Sequence, residues 1–222
     1  MAPKVAVILA GCGFLDGAEV HEAVLTLYHL DRAGAAVTCF APDRDQFHVV
    51  DHATGEPTDE VRNVRTESAR IARGAVEDLS ELDVSSFDGV VMPGGFGVAK
   101  NLSDFALSGH QCDVNPDLVA AVGTALETKT PIVAICISPA ILAAALKRHG
   151  ITGATVTIGS DQSTAAAIET LGQAHQVCAV QEISVDETHR LVCTPAYMLG
   201  PGPAGVGEGI GNAIDHLMRW IG

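Results

Sequence analysis

A cysteine at the end of one apolar run and a glycine pair at the end of another are the residues best suited to chemistry in this sequence. Cys136 follows the apolar residues 131–135, and Gly94 and Gly95 follow the apolar residues 89–92. A cysteine on a tight strand-to-helix turn is presented as a nucleophile. Glycines let backbone N–H groups approach a reacting atom closely. The pattern therefore predicts a reactive thiol at Cys136 with an oxyanion hole beside it.

Each of these two features also has a purely structural interpretation. Cys136 could be a core cysteine at a strand end, and Gly94-Gly95 could form an ordinary turn. Both features follow strands of one predicted parallel sheet, and open α/β sheets place their sites at that edge, which favours the chemical interpretation. Ser138 is the expected N-cap of the next helix. The helix start predicts that the pKa of the Cys136 thiol is lowered.

Two glutamates at the start of the first predicted helix are candidates for proton transfer. Glu19 and Glu22 are three positions apart and share a helix face. The helix follows the first strand, so both lie at the same sheet edge as Cys136. A carboxyl group near a thiol in a partly buried cleft tends to stay protonated, and it can hydrogen-bond a thiolate or shuttle a proton. The alternative is that the two glutamates only place negative charge at a helix N-terminus.

No further motif predicts a cofactor or a metal ion. Gly11-Cys12-Gly13 begins a G-x-G-x-x-G pattern, but Asp16 stands where the last glycine belongs, so dinucleotide binding is a weak alternative. The six cysteines form no C-x-x-C pair, and no H-E-x-x-H segment occurs, which argues against a zinc site. We therefore expect no cofactor and no metal.

The hydrophobic pattern alternates between strand-like and helix-like segments. Strands are expected at residues 4–10, 35–41, 86–92, 131–135, 155–158, 177–180 and 190–194, and helices at residues 18–33, 66–73, 115–128, 139–149 and the chain end. Residues 200–209, rich in glycine and proline, are expected to form a loop. The alternation predicts one α/β domain over residues 1–222, a flavodoxin-like three-layer α/β/α sandwich with a mostly parallel central sheet.

Charge and hydropathy exclude two classes of partner. The formal net charge of −14 and the lack of a Lys/Arg stripe argue against nucleic-acid binding. No segment approaches the roughly 20 apolar residues of a membrane span. The first apolar stretch, residues 5–10, is shorter than the apolar region of a signal peptide. These features predict a soluble cytoplasmic protein with reduced thiols.

Five segments, spread over residues 10–198, together resemble the PfpI/ThiJ superfamily, a relative of class I glutamine amidotransferases. They are AGCGFLDGAEVHEAVLTL, RNVRTESARIARG, PGGFGVAKNLSDFA, ICISPA and TPAYM. PGGFG marks the superfamily, whereas GAEVHE, KNLSDFA and ICISPA are similar to the ElbB-type branch, which is named for isoprenoid biosynthesis. The resemblance implies a flavodoxin-like sandwich with a nucleophile-elbow cysteine.

The resemblance also implies roles for individual residues. Cys136 matches the nucleophile, and Glu22 matches the glutamate that faces the sulfur in superfamily members, with Glu19 as the near alternative. The implied oxyanion hole consists of the backbone amides of Gly94, Gly95 and Ile137. Many members are homodimers, so the resemblance implies a homodimer here.

One departure from the superfamily pattern bears on the reaction. Protease- and amidase-like members carry histidine directly after the nucleophile, and Ile137 stands at that position. Amide hydrolysis is therefore disfavoured, because an amine leaving group needs a general acid. Related cysteine proteins are described as glutathione-independent glyoxalases. The resemblance thus implies conversion of glyoxal or methylglyoxal, a small aldehyde or dicarbonyl substrate, to a 2-hydroxy acid through a hemithioacetal on Cys136, without a cofactor.

Two other functions remain open at this stage. One is a non-catalytic redox or carbonyl-stress sensor, or a pathway regulator, with a reactive thiol at Cys136. The other is a cysteine amidohydrolase whose histidine comes from a distant segment, for which His175 and His110 are the candidates.

Overall fold

The computed structural model describes residues 1–200 and 202–222. Its strands are β1 (Lys4–Ile8), β2 (Ala36–Ala41), β3 (Val49–Asp51), β4 (Glu56–Thr58), β5 (Val76–Asp78), β6 (Gly89–Met92), β7 (Ile132–Ile135), β8 (Thr155–Val156), β9 (Ala174–His175), β10 (Ser184–Asp186) and β11 (Leu191–Thr194). Its α-helices are α1 (Val20–Arg32), α2 (Val64–Ile71), α3 (Phe105–Ser108), α4 (Pro116–Thr128), α5 (Ser138–Arg148), α6 (Gln162–Thr170) and α7 (Pro203–Ile221).

Seven strands form one central sheet in the order β10-β11-β7-β6-β1-β2-β5. Every neighbouring pair is parallel except the edge pair β10 and β11, which is antiparallel. From β1 the chain builds first toward β2 and β5, and then returns to place β6 on the other side of β1. This reversal is a topological switch point, where α/β sheets open a crevice at the carboxyl ends of their strands.

The sheet separates two helical layers. Alternate side chains of a strand point to opposite faces. Thus Val5 and Val7 pack with residues of α1, α2 and α7, whereas Ala6 and Ile8 pack with residues of α4, α5 and α6. The central strands β6 and β7 are buried throughout, which explains their uninterrupted aliphatic sequences. The flavodoxin-like sandwich with a mostly parallel sheet, predicted from the sequence, is confirmed.

The sequence-based element assignment is wrong at two points between β7 and β11. Residues 177–180 form no strand, and the sheet edge is instead the antiparallel strand β10. Of those four residues Val177 is largely exposed and only Cys178 is buried, so their apolar types do not reflect a buried strand. The helix α6, capped by the Asp161 carboxylate, was not predicted.

The glycine-rich segment near the C-terminus is mainly helical. The predicted loop at residues 200–209 includes Pro201, which lies outside the described residues, but α7 begins at Pro203. Its glycines allow close packing rather than a turn. A Cβ at Gly209 would meet the Val180 carbonyl and, at 2.8 Å, the Thr194 hydroxyl. The glycine and proline content of residues 200–209 predicted a loop, but close tertiary packing stabilises a helix from Pro203 onward. Within the described residues, no helix is both long and apolar enough to cross a membrane.

Candidate functional site

Cys136 occupies a strained turn between β7 and α5. Its φ is +63°, in the left-handed region that residues other than glycine rarely adopt. The turn is held because the Cys136 N–H donates to the Thr194 carbonyl at the end of β11, over 2.9 Å. Such strain persists only where the surrounding structure imposes it, and it is typical of functional sites. Cys136 therefore has the geometry of a nucleophile elbow.

Ser138 ties this elbow to the glycine loop after β6. It is the first residue of α5 rather than its N-cap, which is Ile137. The buried Ser138 hydroxyl instead donates to the Pro93 carbonyl over 2.7 Å. The N-cap role predicted for Ser138 is thus wrong, because the hydroxyl bonds across to the neighbouring strand end. This hydrogen bond fixes the distance between Cys136 and the glycine pair.

Replacing Ser138 with alanine is expected to lower the free energy of unfolding by about 1–3 kcal/mol, because it leaves the buried Pro93 carbonyl without its donor. Urea unfolding of the variant measures this change. Ser108→Ala is the matched control, since the exposed Ser108 hydroxyl bonds only to Asp104, and its effect should stay within about 0.5 kcal/mol. Equal losses in the two variants would contradict the predicted role of Ser138.

The Glu22 carboxyl group is completely buried beside the Cys136 sulfur. Its Oε2 accepts a hydrogen bond from the Gly94 N–H at 2.9 Å, and its Oε1 accepts one from the Tyr197 N–H at 3.2 Å. The Cys136 thiol is a third hydrogen-bonding partner. These contacts join residues from three distant segments. The structure thus places Glu22 against the sulfur.

The buried pair of carboxyl and thiol holds its protons tightly. Burial and then the charge of Glu19 raise the pKa of Glu22 to about 8. Burial, followed by the charge of Glu22, raises the pKa of the Cys136 thiol well above its ordinary value, although the N–H groups of Gly95 and Ile137 oppose this shift. The lowered thiol pKa predicted from the helix start is therefore wrong. Two neighbouring buried groups resist carrying two negative charges.

The glycine pair leaves the space that the thiol and the carboxyl need. A Cβ at Gly94 would lie 2.6 Å from Glu22 Oε2 and 3.0 Å from Cys136 Sγ, and it would overlap the Cys136 Cβ. Gly95 has a φ of +100°, and a Cβ there would meet the backbone of Gly17 and Glu19. Neither position can therefore hold a larger residue without a shift of the site.

The backbone N–H groups around the sulfur have different partners. The backbone N–H groups of Gly95 and Ile137 lie beside Cys136 and favour its charged form. The Gly94 N–H donates to Glu22 instead, so it is not the free oxyanion-hole donor that the sequence predicted. The oxyanion-hole role predicted for Gly94 is wrong, because its N–H already donates a hydrogen bond to the buried Glu22 carboxyl. Gly95 and Ile137 remain the donors placed to stabilise charge on an oxygen bound next to the sulfur.

Glu19 has a structural role that differs from that of Glu22. It is the N-cap of α1, and its Oε2 accepts a hydrogen bond from the Glu22 N–H at 2.7 Å. It also lines the cavity above Cys136. Of the two candidate glutamates, the structure brings Glu22 to the sulfur, while Glu19 caps the helix, as in the alternative interpretation of its charge.

The glycine loop after β1 does not form a nucleotide-binding cradle. The Gly13 N–H donates to the Ala18 carbonyl, the Gly17 N–H to the Gly13 carbonyl, and the Gly11 N–H to the Ser68 hydroxyl. These N–H groups are used inside the fold, so none of them is available for a pyrophosphate. Within the described residues, no group of three or more His, Cys, Asp or Glu side chains is arranged to hold a metal ion.

A mainly apolar cavity of about 460 Å³ opens above Cys136. It is lined by Phe14, Glu19, Gly95, Phe96, Cys136, Ile137, Asp161, Thr164, Tyr197 and Met198. Its volume lies in the range of small-molecule sites. Neither His175 nor His110 belongs to this lining: the His175 ring accepts a hydrogen bond from the Ile158 N–H, and His110 lies beside Cys112.

Sequence reasoning missed Tyr197 as a site residue. It follows the end of β11 after Ala196, whose φ is +45°, and its backbone holds Glu22. The Tyr197 hydroxyl lies 2.7 Å from His21 Nδ1, so this histidine contacts a residue of the cavity lining. The signal was present, because a residue just after an apolar strand lies at the same sheet edge as Cys136.

A family comparison agrees with this geometry. The DJ-1/PfpI family matches residues 4–187. The chain belongs to the DJ-1/PfpI family. Membership in this family fits a glyoxalase-like or stress-related function. The crystal structure of an isoprenoid biosynthesis protein with an amidotransferase-like domain from Ehrlichia chaffeensis superposes with a TM-score of 0.93 at 41% identity, over 100% of both chains. The resemblance to the ElbB-type branch is thereby confirmed.

Named vertebrate proteins match nearly the whole chain. The human protein named glutamine amidotransferase-like class 1 domain-containing protein 3, mitochondrial, is 42% identical over 100% of this chain and 84% of its own length. The zebrafish (Danio rerio) ES1 protein, mitochondrial, is 33% identical over 97% of this chain and 85% of its own length. Drosophila melanogaster DJ-1beta shares the fold, with a TM-score of 0.56 at 19% identity over 99% of this chain and 96% of that chain.

The names of these relatives correct one prediction. The human, rat and zebrafish relatives are all named as mitochondrial proteins. The cytoplasmic location expected from the sequence is contradicted by these names and is wrong. The expectation rested on charge, cysteine usage and the lack of long apolar segments, and these properties describe the folded domain rather than its compartment.

Proposed function

We propose that this protein is a glutathione-independent glyoxalase that converts glyoxal or methylglyoxal to a 2-hydroxy acid. The observation that carries the proposal is the completely buried Glu22 carboxyl beside the Cys136 sulfur, where the backbone N–H groups of Gly95 and Ile137 favour negative charge. This arrangement supplies a nucleophile, a proton carrier and oxyanion donors in one place.

In the first step the Cys136 sulfur forms a bond to the aldehyde carbon of methylglyoxal. The electron pair of the C=O bond moves to oxygen, where the N–H groups of Gly95 and Ile137 stabilise the charge. Glu22 delivers a proton to this oxygen, which yields a hemithioacetal and leaves Glu22 as a carboxylate. At the start of this step Cys136 and Glu22 together hold one proton: the sulfur attacks as a thiolate, and the Glu22 carboxyl carries the proton that it delivers.

In the second step the Glu22 carboxylate removes the hydrogen from the carbon bonded to sulfur. Loss of this proton leaves an enediolate. The hydroxyl proton moves from the first carbon's oxygen to the second carbon's oxygen, and Glu22 returns its proton to the second carbon, so the adduct becomes a thioester of lactate. Water then attacks the thioester carbonyl, lactate leaves, and the Cys136 thiol is restored. The sequence consumes one water and no oxidant or reductant.

The other candidate functions fit the site less well. A redox sensor of the predicted kind needs a thiol with a lowered pKa, whereas the pKa of the Cys136 thiol is raised. An amidohydrolase needs an acid for the leaving amine, and no histidine lines the described part of the cavity. An aldehyde adduct has no leaving group in its first step, so Glu22 suffices.

The direct test is methylglyoxal consumption together with lactate formation in the absence of glutathione. Many turnovers per protein chain are expected. Consumption that stops at one equivalent, with a covalent adduct on Cys136, would contradict the proposal and favour a sensor or regulator.

Activity is expected to rise with pH through about pH 8. Below that pH the Glu22 carboxyl is protonated and the Cys136 thiol is neutral, so the pair holds two protons instead of the one that the first step requires. The value of kcat/KM should therefore fall about tenfold for each pH unit below the apparent pKa. A profile for methylglyoxal from pH 6 to pH 9, corrected for the uncatalysed reaction, measures this. A flat profile would contradict the assigned role of the pair.

A further inference from the structure

The cavity above Cys136 offers more apolar surface than methylglyoxal can cover. Its volume is about 460 Å³, and Phe14, Phe96, Ile137 and Met198 line it. Methylglyoxal carries only a methyl group beside its two carbonyls. A ligand that left these side chains in contact with water would forgo most of the binding energy that apolar burial can supply.

Two phenylalanine rings at the cavity are held in place but left half-exposed. Phe14 and Phe96 are each 47% exposed. The Phe96 N–H donates to the Phe14 carbonyl over 2.8 Å, so the loops that carry the rings are joined. The Lys100 ammonium lies 4.8 Å from the centre of the Phe96 ring and donates to the Leu15 carbonyl, which restrains this side chain further. Fixed, half-exposed rings beside a reactive sulfur are suited to contact an apolar group of a ligand.

The charged side chains that line the cavity are both acidic. Glu19 and Asp161 line it, and no lysine or arginine does so among the residues that the structure describes. Asp161 caps α6, and hydrogen bonds from Thr164 and Ser163 lower the pKa of its carboxyl group, so it is ionised at neutral pH. A carboxylate on the ligand would be repelled by these two groups, and the Lys100 ammonium, which lies over the Phe96 ring, does not line the cavity.

We propose that the substrate is an uncharged 2-oxoaldehyde with a bulky apolar side group, of the arylglyoxal type, whose ring packs against Phe14 and Phe96. This inference rests on the proposed function, because it names the substrate class for the same site. The reaction steps are unchanged: the sulfur adds to the aldehyde carbon, and phenylglyoxal would leave as mandelate.

The first test compares phenylglyoxal with methylglyoxal in the wild type and in Phe96→Ala. Taking the ratio of the two kcat/KM values in each protein cancels the intrinsic reactivities of the two aldehydes. Phe96→Ala should lower this ratio about tenfold, since loss of a hydrophobic contact in a pocket has an effect of this order. Phe47→Ala is the matched control, because Phe47 is 53% exposed and does not line the cavity. Reaction of phenylglyoxal with arginines is subtracted by using Cys136→Ser, and mandelate is quantified directly.

The second test addresses charge with 4-carboxyphenylglyoxal. In the wild type its kcat/KM should be about tenfold below that of phenylglyoxal, because the cavity supplies only like charge. Asp161→Asn should narrow this gap, and asparagine is as good a helix cap as aspartate, so α6 is preserved. Glu127→Gln removes an exposed charge from α4, away from the cavity, and should leave the gap unchanged.

The outcomes separate the two proposals. Turnover of both aldehydes with a ratio that Phe96→Ala does not change would overturn the substrate class and leave the glyoxalase reaction standing. Turnover of neither aldehyde would overturn the reaction. Ligand-observed NMR with acetophenone, which has no aldehyde, then tests whether the cavity binds an apolar aromatic ligand. Saturable binding that is weakened in Phe96→Ala supports the proposed ligand class. Lack of binding overturns the proposed ligand class.

Discussion

Replacing Cys136 with serine is expected to lower methylglyoxal turnover by about 1,000-fold or more, because a hydroxyl group is a far weaker nucleophile than the sulfur of the pair with Glu22. The substitution is nearly isosteric, so the strained turn at φ +63° and its hydrogen bond to Thr194 should remain. Lactate formation under saturating substrate measures the loss. Near-normal turnover in this variant would contradict the mechanism.

Cys12→Ser is the matched control for this loss. Cys12 is a half-buried free thiol on the loop after β1, and it does not line the cavity. Its replacement should leave turnover within about twofold of the wild type, an effect in the range of ordinary surface changes. Thermal unfolding of both variants shows whether each is folded under the assay conditions. A large loss in both would point to general damage instead of the loss of a nucleophile.

Replacing Glu22 with glutamine is expected to abolish most activity and yet to stabilise the protein at high pH. The folded carboxyl has a pKa of about 8, raised from the ordinary value of 4.5 by burial. Between these two pH values the folded state binds a proton that the unfolded state has released, so wild-type stability falls as pH rises. Glutamine does not titrate, so the free energy of unfolding of the variant does not decrease in this way as pH rises.

The size of this effect follows from the shift in pKa. At up to 1.36 kcal/mol per pH unit, the free energy of unfolding of Glu22→Gln relative to wild type should improve by about 3.5 kcal/mol between pH 5 and pH 8. Near pH 5 the variant should be somewhat less stable, because its single carbonyl oxygen can accept from only one of the Gly94 and Tyr197 N–H groups. Urea unfolding at several pH values measures the difference.

Glu127→Gln is the control for the Glu22 experiment. Its carboxyl group is exposed on α4, so its relative stability should change little over the same pH range. A Glu22→Gln curve parallel to the control would show that the carboxyl titrates normally, and it would remove the basis for the pH dependence of activity. A Glu22→Gln variant that is more stable at high pH but inactive would indicate that the buried carboxyl, which is needed for proton transfer, lowers the stability of the wild type.

The order of strands and helices was largely readable from the sequence, because it rests on local patterns. The aliphatic runs at β6 and β7 are buried on both faces and read as strands. Asn115 and Pro116 predicted the start of α4, and the structure confirms both positions. The errors fall where packing partners are distant, as for Gly209 of α7, which fits closely against the Val180 carbonyl and the Thr194 hydroxyl.

Local sequence patterns were enough to predict that Cys136 and the glycine pair lie at one sheet edge, because parallel strands with apolar runs must align their carboxyl ends. The chemistry that these groups can perform depends instead on contacts between distant segments. Glu22 contacts Gly94 across 72 residues of sequence and Tyr197 across 175. Those contacts take the Gly94 donor out of the oxyanion hole, and burial raises both pKa values. Burial and charge depend on neighbours that no local pattern records, so the chemistry of the pair had to be read from the folded chain.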